Sequence, residues 1–236
     1  MELLAAAPER VLAIYAHPDD PDVACGATLA HWAAAGAEVH IVLAAVGDKG
    51  ADDPAADPGE LARVRAGEVA RAAAALGVAS SIQLGGRDGE LENDLALRRT
   101  LVSAVRSIRP AVVVCPDPTA VFFGEHYYNH RDHRVIGFAA LDAVAPAAAS
   151  PLYFPEAGAP WQVSTVYLSG TLEPNVCVEV SDTIGQKLEA VLAHRSQLGE
   201  GDEHFRAVLE ARAREMGREV GVRYAESFRR LQLAAG

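Results

Sequence analysis

The chain predicts an α/β fold: a Rossmann-like three-layer sandwich with a mostly parallel sheet and additional edge strands toward its C-terminal part. Three observations carry this. Short apolar runs at 11–16, 38–46, 81–84 and 111–115 alternate with stretches of helix composition, which implies right-handed βαβ crossovers with helices on both faces of one sheet. Each apolar run stops on His-Pro, Gly, Gly-Gly or Pro, residues that turn the chain off a strand. Two later runs, 163–168 and 176–180, alternate apolar and polar residues as half-buried edge strands do. A length of 236 residues suits a single domain over 1–236 with a sizeable core.

The elements follow in order. Residues 11–16 form the first strand, and 24–35 a helix that Gly36 stops. Residues 38–46 are the second strand, ending in Gly47-Asp48-Lys49-Gly50, and the Pro- and Asp-rich stretch 50–59 is a surface loop. A strong helix over 61–76 closes at Gly77, and a brief strand at 81–84 runs into the turn 85–89. A helix over 93–108 ends before Pro110, and the strand 111–115 ends at Pro116. Residues 146–160, rich in Pro and Ala, read as an excursion over the surface that could serve as a lid. Helices over 184–198 and 203–220 complete the chain.

Composition narrows the function. The net charge of -11 disfavours a phosphate-binding surface, which needs clustered Lys and Arg, so no nucleic-acid partner is expected. Cys25, Cys115 and Cys177 form no CxxC pair, so neither a disulfide framework nor a thiolate zinc site is signalled. The N-terminus lacks signal-peptide features, and no apolar run reaches the roughly 18 residues a bilayer span needs, so a cytoplasmic protein without membrane insertion is expected. The first strand is not followed by GxGxxG, which removes support for a dinucleotide site.

Parallel α/β sheets bind ligands outside the carboxyl ends of their strands. His17 to Asp20, Gly47 to Gly50, Arg87-Asp88 and Asp117 all fall there. His17 and Asp20 flank a Pro-containing turn and can point at one cation, with His133 as a third ligand from the distant loop after the 111–115 strand. Two imidazoles and a carboxylate leave open positions, as catalytic sites do, and suit Zn2+. The same set also describes the facial triad of non-haem iron(II) enzymes, so Fe2+ or another divalent metal, or a metal-binding protein without turnover, stand as alternatives. Asp19, beside the ligand Asp20, is the natural general base. His130 and Tyr128 are placed to stabilise an oxyanion or supply a proton, and Asp132 to orient His130 or His133 from behind. His31, His40, His126 and His204 have no such company and read as surface residues.

The segment Ala16-His17-Pro18-Asp19-Asp20, followed by Cys25-Gly26-Ala27-Thr28-Leu29-Ala30, resembles the LmbE/PIG-L zinc-dependent de-N-acetylases. The resemblance continues through Arg65 and Glu68, Arg87-Asp88-Gly89, Pro116-Asp117-Pro118, Asn129 to Arg134, and Lys187 with His194-Arg195-Ser196-Gln197. It implies zinc on His17, Asp20 and His133, Asp19 as base, and His130 with Tyr128 acting on the oxyanion. It also implies Arg65 and Asp88 at the substrate, hydrolysis of the N-acetyl group of an amino-sugar conjugate, and a homo-oligomer. One departure stands out: the family's first motif continues with Glu, whereas Pro21 stands here and cannot make that residue's hydrogen bonds, with Asp22 next to it as a partial substitute.

Overall fold

A computed structural model describes residues 1–198 and 202–233. Its centre is an eight-stranded sheet. In chain order its strands are β1 (Glu2–Leu4), β2 (Arg10–Tyr15), β3 (Glu38–Ala45), β4 (Ser80–Gly86), β5 (Val112–Pro116), then, beyond a small hairpin of β6 (Phe122–Phe123) and β7 (Tyr127–Tyr128), β8 (Thr165–Ser169), β9 (Val176–Glu179) and β10 (Ala225–Gln232). The spatial order is β1-β9-β10-β8-β5-β2-β3-β4. From β8 to β4 every pairing is parallel, while β10 runs antiparallel to both β8 and β9.

The period-two alternation of a doubly covered strand is plain in β2. Val11, Ala13 and Tyr15 enter a core beneath the helices α1 (Asp20–Ala34) and α2 (Pro58–Leu76), whereas Leu12, Ile14 and Ala16 enter a second core beneath α3 (Leu95–Ile108) and α4 (Arg131–Asp142). The helices α5 (Ile184–Leu192), α6 (Arg195–Leu198) and α7 (Asp202–Val220) lie later in the chain; α5 packs against α1 and α2, and α7 against β10. The predicted α/β class with a mostly parallel sheet is therefore the one observed, but the two late strands expected at an edge, β8 and β9, each have neighbours on both sides, because β10 inserts between them and β1 covers β9. After β2 the chain builds outward through β3 and β4, then returns through α3 to place β5 on the other flank of β2. That reversal opens a crevice at the carboxyl ends of β2 and β5, where ligands of such sheets sit. No helix among the described residues is long and apolar enough to cross a membrane.

Several element boundaries differ from expectation. The first helix begins at Asp20 rather than 24, because Pro21 lies in its opening turn, where a missing N–H costs nothing; a break at Cys25 (φ -149°, ψ 18°) follows. The predicted helix over 184–198 is two helices separated at Ala193-His194, where the His194 ring turns inward to Asp22. The excursion 146–160 is no free lid. Arg106, 4% exposed, donates to the carbonyls of Ala147, Ala148, Ser150, Tyr153, Phe154 and Gly158, and so ties the segment to α3.

Candidate metal centre and active site

The loop leaving β2 and the start of α4 bring the predicted ligands together. His17 Nδ1 lies 3.2 Å from His133 Nε2 and 3.4 Å from an Asp20 oxygen, and His133 Nε2 lies 3.0 Å from the other Asp20 oxygen. Donors bound tetrahedrally at the usual zinc distances stand roughly 3.4 Å apart, so this triangle is already of the size one ion closes. Asp20 is held in place by the His17 backbone N–H, which donates to its carboxylate at 2.7 Å. His130 brings a third imidazole to within 4.8 Å of His17 and His133, and the Asp20 oxygens lie 3.4 and 3.0 Å from those two rings.

The electrostatics call for a cation. Burial opposes charge on His17, yet hydrogen bonds to Asp132, Asp20 and Asp88 overcome it and push its pKa up to about 12. Burial likewise raises Asp20, but the His133 charge and its hydrogen bond, with His17 adding to them, hold it well below the usual carboxylate range. The same carboxylates that favour a positive charge on His17 favour a cation in its place once the ring gives up its proton. The donor set fits zinc, with two borderline imidazole nitrogens, one carboxylate and room for a further ligand.

The supporting residues take roles that spacing alone did not predict. Asp132, completely buried, accepts from the Gly89 N–H at 2.6 Å and lies 3.4 Å from His17 Nε2, so it backs His17 rather than His130 or His133. Asp88 lies 3.0 Å from the same nitrogen. His133 is oriented instead by Asn129, whose Oδ1 meets its Nδ1 at 3.0 Å, an i,i+4 spacing into the first turn of α4 that the sequence offered but that had no role assigned. His130 is the N-cap of α4: its Nδ1 accepts from the Asp132 N–H at 3.2 Å, which leaves the proton of the neutral ring on Nε2. Burial and the facing charges of His17 and His133 lower its pKa, so neutral is its resting state.

Arg65 corrects an expectation. The residue is 2% exposed, and its guanidinium donates to Asp19 at 2.8 Å and to the Gly47 carbonyl at 3.1 Å, so it holds the candidate base instead of standing free for substrate. Gly47 is needed there twice over: its φ is +69°, and a Cβ would lie 2.1 Å from an Arg65 nitrogen. Asp22 does not replace the missing Glu, because it bonds His194 at 2.7 Å on the far side of the helix start. Glu68 similarly accepts from the Ser196 N–H and hydroxyl at 2.9 and 2.7 Å, tying α6 to α2. Tyr128 is 68% exposed on the β6–β7 hairpin; its neighbour Tyr127, on the alternate face, is the one that lines the cavity beside Asp20 and His133.

A parallel α/β crevice that gathers two histidines and a carboxylate beside a second, arginine-held carboxylate holds the groups that metal-dependent amide hydrolysis uses. Residues 12–144 match the PIG-L model, described as GlcNAc-PI de-N-acetylase. The chain belongs to that family. It is 33% identical over 225 residues to a diacetylchitobiose deacetylase of Thermococcus kodakarensis, covering 94% of this chain and 82% of that protein. It is 38% identical over 178 residues to a 1D-myo-inositol 2-acetamido-2-deoxy-alpha-D-glucopyranoside deacetylase of Saccharopolyspora erythraea, covering 65% of this chain and 62% of that longer protein. Among solved structures, N,N'-diacetylchitobiose deacetylase from Pyrococcus horikoshii superimposes with a TM-score of 0.87 at 32% identity, covering 95% of this chain and 84% of that one.

Proposed function

We propose that the protein is a zinc-dependent hydrolase that removes the N-acetyl or a related N-acyl group from an N-acetylglucosamine-type conjugate. The observation that carries this is the convergence of His17, Asp20 and His133 beside an Asp19 carboxylate that Arg65 holds by a 2.8 Å bond. A divalent cation on those three residues would polarise the amide carbonyl and bring the pKa of a bound water toward about 7. The remaining work falls to the chain. Asp19 takes the proton of the attacking water. His130 donates from Nε2 to the carbonyl oxygen as negative charge grows there, and its N-cap bond keeps that tautomer without a net charge. The proton gathered on Asp19 then passes to the departing nitrogen, so that a free amine and a carboxylic acid leave.

Asp88 and Asp132 hold His17 by Nε2, which keeps Nδ1 turned to the metal. We assign the second oxygen of Asp88 to a sugar hydroxyl. Tyr128 reaches the oxyanion once the hairpin folds over bound substrate. The cytoplasm is the proposed compartment and a homo-oligomer the proposed assembly. The test is metal analysis of the purified protein combined with mass-spectrometric detection of acetate from N-acetyl amino-sugar conjugates. Stoichiometric zinc with acetate release is the expected result; oxygen-dependent turnover with iron and none with zinc would overturn it.

A further inference from the structure

We infer that the acyl side of the substrate lies in a cavity of about 660 Å³ that opens beside the metal centre, and that the enzyme hydrolyses N-acyl groups several carbons longer than acetyl. This rests on the amide hydrolysis proposed above. The cavity starts at Asp20 and His133 and runs beneath α7. Its apolar wall is Val23 and Ala24 of α1 with Leu209, Ala213 and Met216 of α7.

The buried polar side chains that line its floor, Tyr15, Ser169, Lys187, Glu226 and Asn129, are already engaged in hydrogen bonds or ion pairs, whereas Arg212 of α7 lies exposed at its edge. The Tyr15 hydroxyl is paired with Ser169 Oγ at 2.7 Å and with Cys25 Sγ at 3.2 Å. Lys187, only 5% exposed, is paired with Glu226, whose other oxygen accepts from the Thr28 N–H at 2.7 Å. Such a floor has little left to offer the many hydroxyls of a sugar, whereas methylene groups lose nothing against it. The size points the same way. Cavities of this volume take whole drug-sized ligands, and an acetyl methyl would leave most of it empty.

The chemistry sets the direction. Asp19, His130 and Asp88 are not on the cavity wall. The leaving nitrogen has to meet the group that delivers its proton, so the amine and its sugar face the Asp19 and His130 side. Across a planar amide the acyl substituent points away from the nitrogen substituent, which sends the acyl chain toward α7.

A chain-length series of glucosamine conjugates, N-acetyl, N-butanoyl, N-hexanoyl and N-octanoyl, tests the inference on the zinc-loaded full chain. Expected is a kcat/KM for N-hexanoyl at least equal to that for N-acetyl, and inhibition by hexanoate at least tenfold tighter than by acetate. Ala213→Phe, or Met216→Trp should the first variant fail to fold, should lower the hexanoyl-to-acetyl ratio at least tenfold. Turnover of N-acetyl with N-hexanoyl more than tenfold slower would overturn the inference and leave the hydrolase standing. A ratio unmoved in a folded cavity variant would overturn it as well. No turnover of any member would sink both.

Discussion

Arg65 and Arg106 are both buried arginines, and the protein treats them in opposite ways. Arg106 spends its donors on six backbone carbonyls of one segment, 147–158. Arg65 makes one bond to a carboxylate and one to a carbonyl, and its Nε has no partner among the described residues. A charge surrounded by neutral carbonyls, several of which also accept a backbone N–H, is a structural clamp. A charge given one anionic partner beside the His17–Asp20–His133 cluster is placed to steer that partner, and the polar group left unmet marks where the fold yields to function. The same contrast separates the floor of the cavity, where Tyr15, Ser169, Lys187 and Glu226 are paired, from the His17 cluster, where Asp132 Oδ1 has no hydrogen-bond partner among the described residues.

The largest expected effect lies on the partner that Arg65 steers. Asp19→Asn should cut kcat by about 10³-fold with zinc content near stoichiometric; loss of zinc in that variant would make Asp19 a ligand instead of a base. Next come the two arginines themselves. Arg65→Ala should lower kcat by about 10²-fold with a small change in Tm, and Arg65→Lys should recover part of it, since a lysine can reach only one of the two acceptors. Arg106→Ala should do the reverse, costing about 3 kcal/mol or more of stability as its carbonyls lose their donor while kcat per folded molecule holds. Equal losses of activity in both would dissolve the distinction.

How legible this was follows from where each partner lies. The strands and their carboxyl-end loops could be read because β2 and β5 are buried on both faces and their apolar runs stop abruptly at His17 and Pro116. The placing of His17 and Asp20 at that strand end was legible for the same reason. The strand β10 was missed because its run from Ala225 to Gln232 mixes Glu, Ser and two Arg with few large apolar residues; its strand character comes from pairing with β8 and β9 on either side. The partners of Arg65 and Asp132 were hidden because they lie 46 and 43 residues away, at Asp19 and Gly89, where only the assembled crevice brings them together.

A smaller effect concerns Tyr128. If the hairpin closes on substrate, Tyr128→Phe should lower kcat about tenfold with KM little changed, whereas Tyr127→Ala, on the cavity side, should raise KM; the opposite split would leave Tyr128 a surface residue. The smallest signal is a proton count. In the metal-free protein the carboxylates keep His17 protonated up to about 12, so loading zinc at neutral pH should release about one proton, and affinity should rise with pH. Calorimetry in buffers of different ionisation enthalpy reads this directly, and zero release would mean the ring was neutral before the metal arrived.

The position of β10 carries a consequence for synthesis. It lies between β9 and β8 and, among the described residues, is the only connection of the β1–β9 pair to the rest of the sheet, although it follows every other described strand in the chain. A nascent polypeptide halted before Ala225 would already contain His17, Asp20 and His133, yet its sheet would be in two pieces, with β8 and β9 exposing unpaired edges. Late insertion of one antiparallel strand therefore closes the sheet, and Glu226, arriving with it, completes the ion pair with Lys187 and receives the Thr28 N–H of α1. The ribosome must finish the scaffold after it has already made the catalyst.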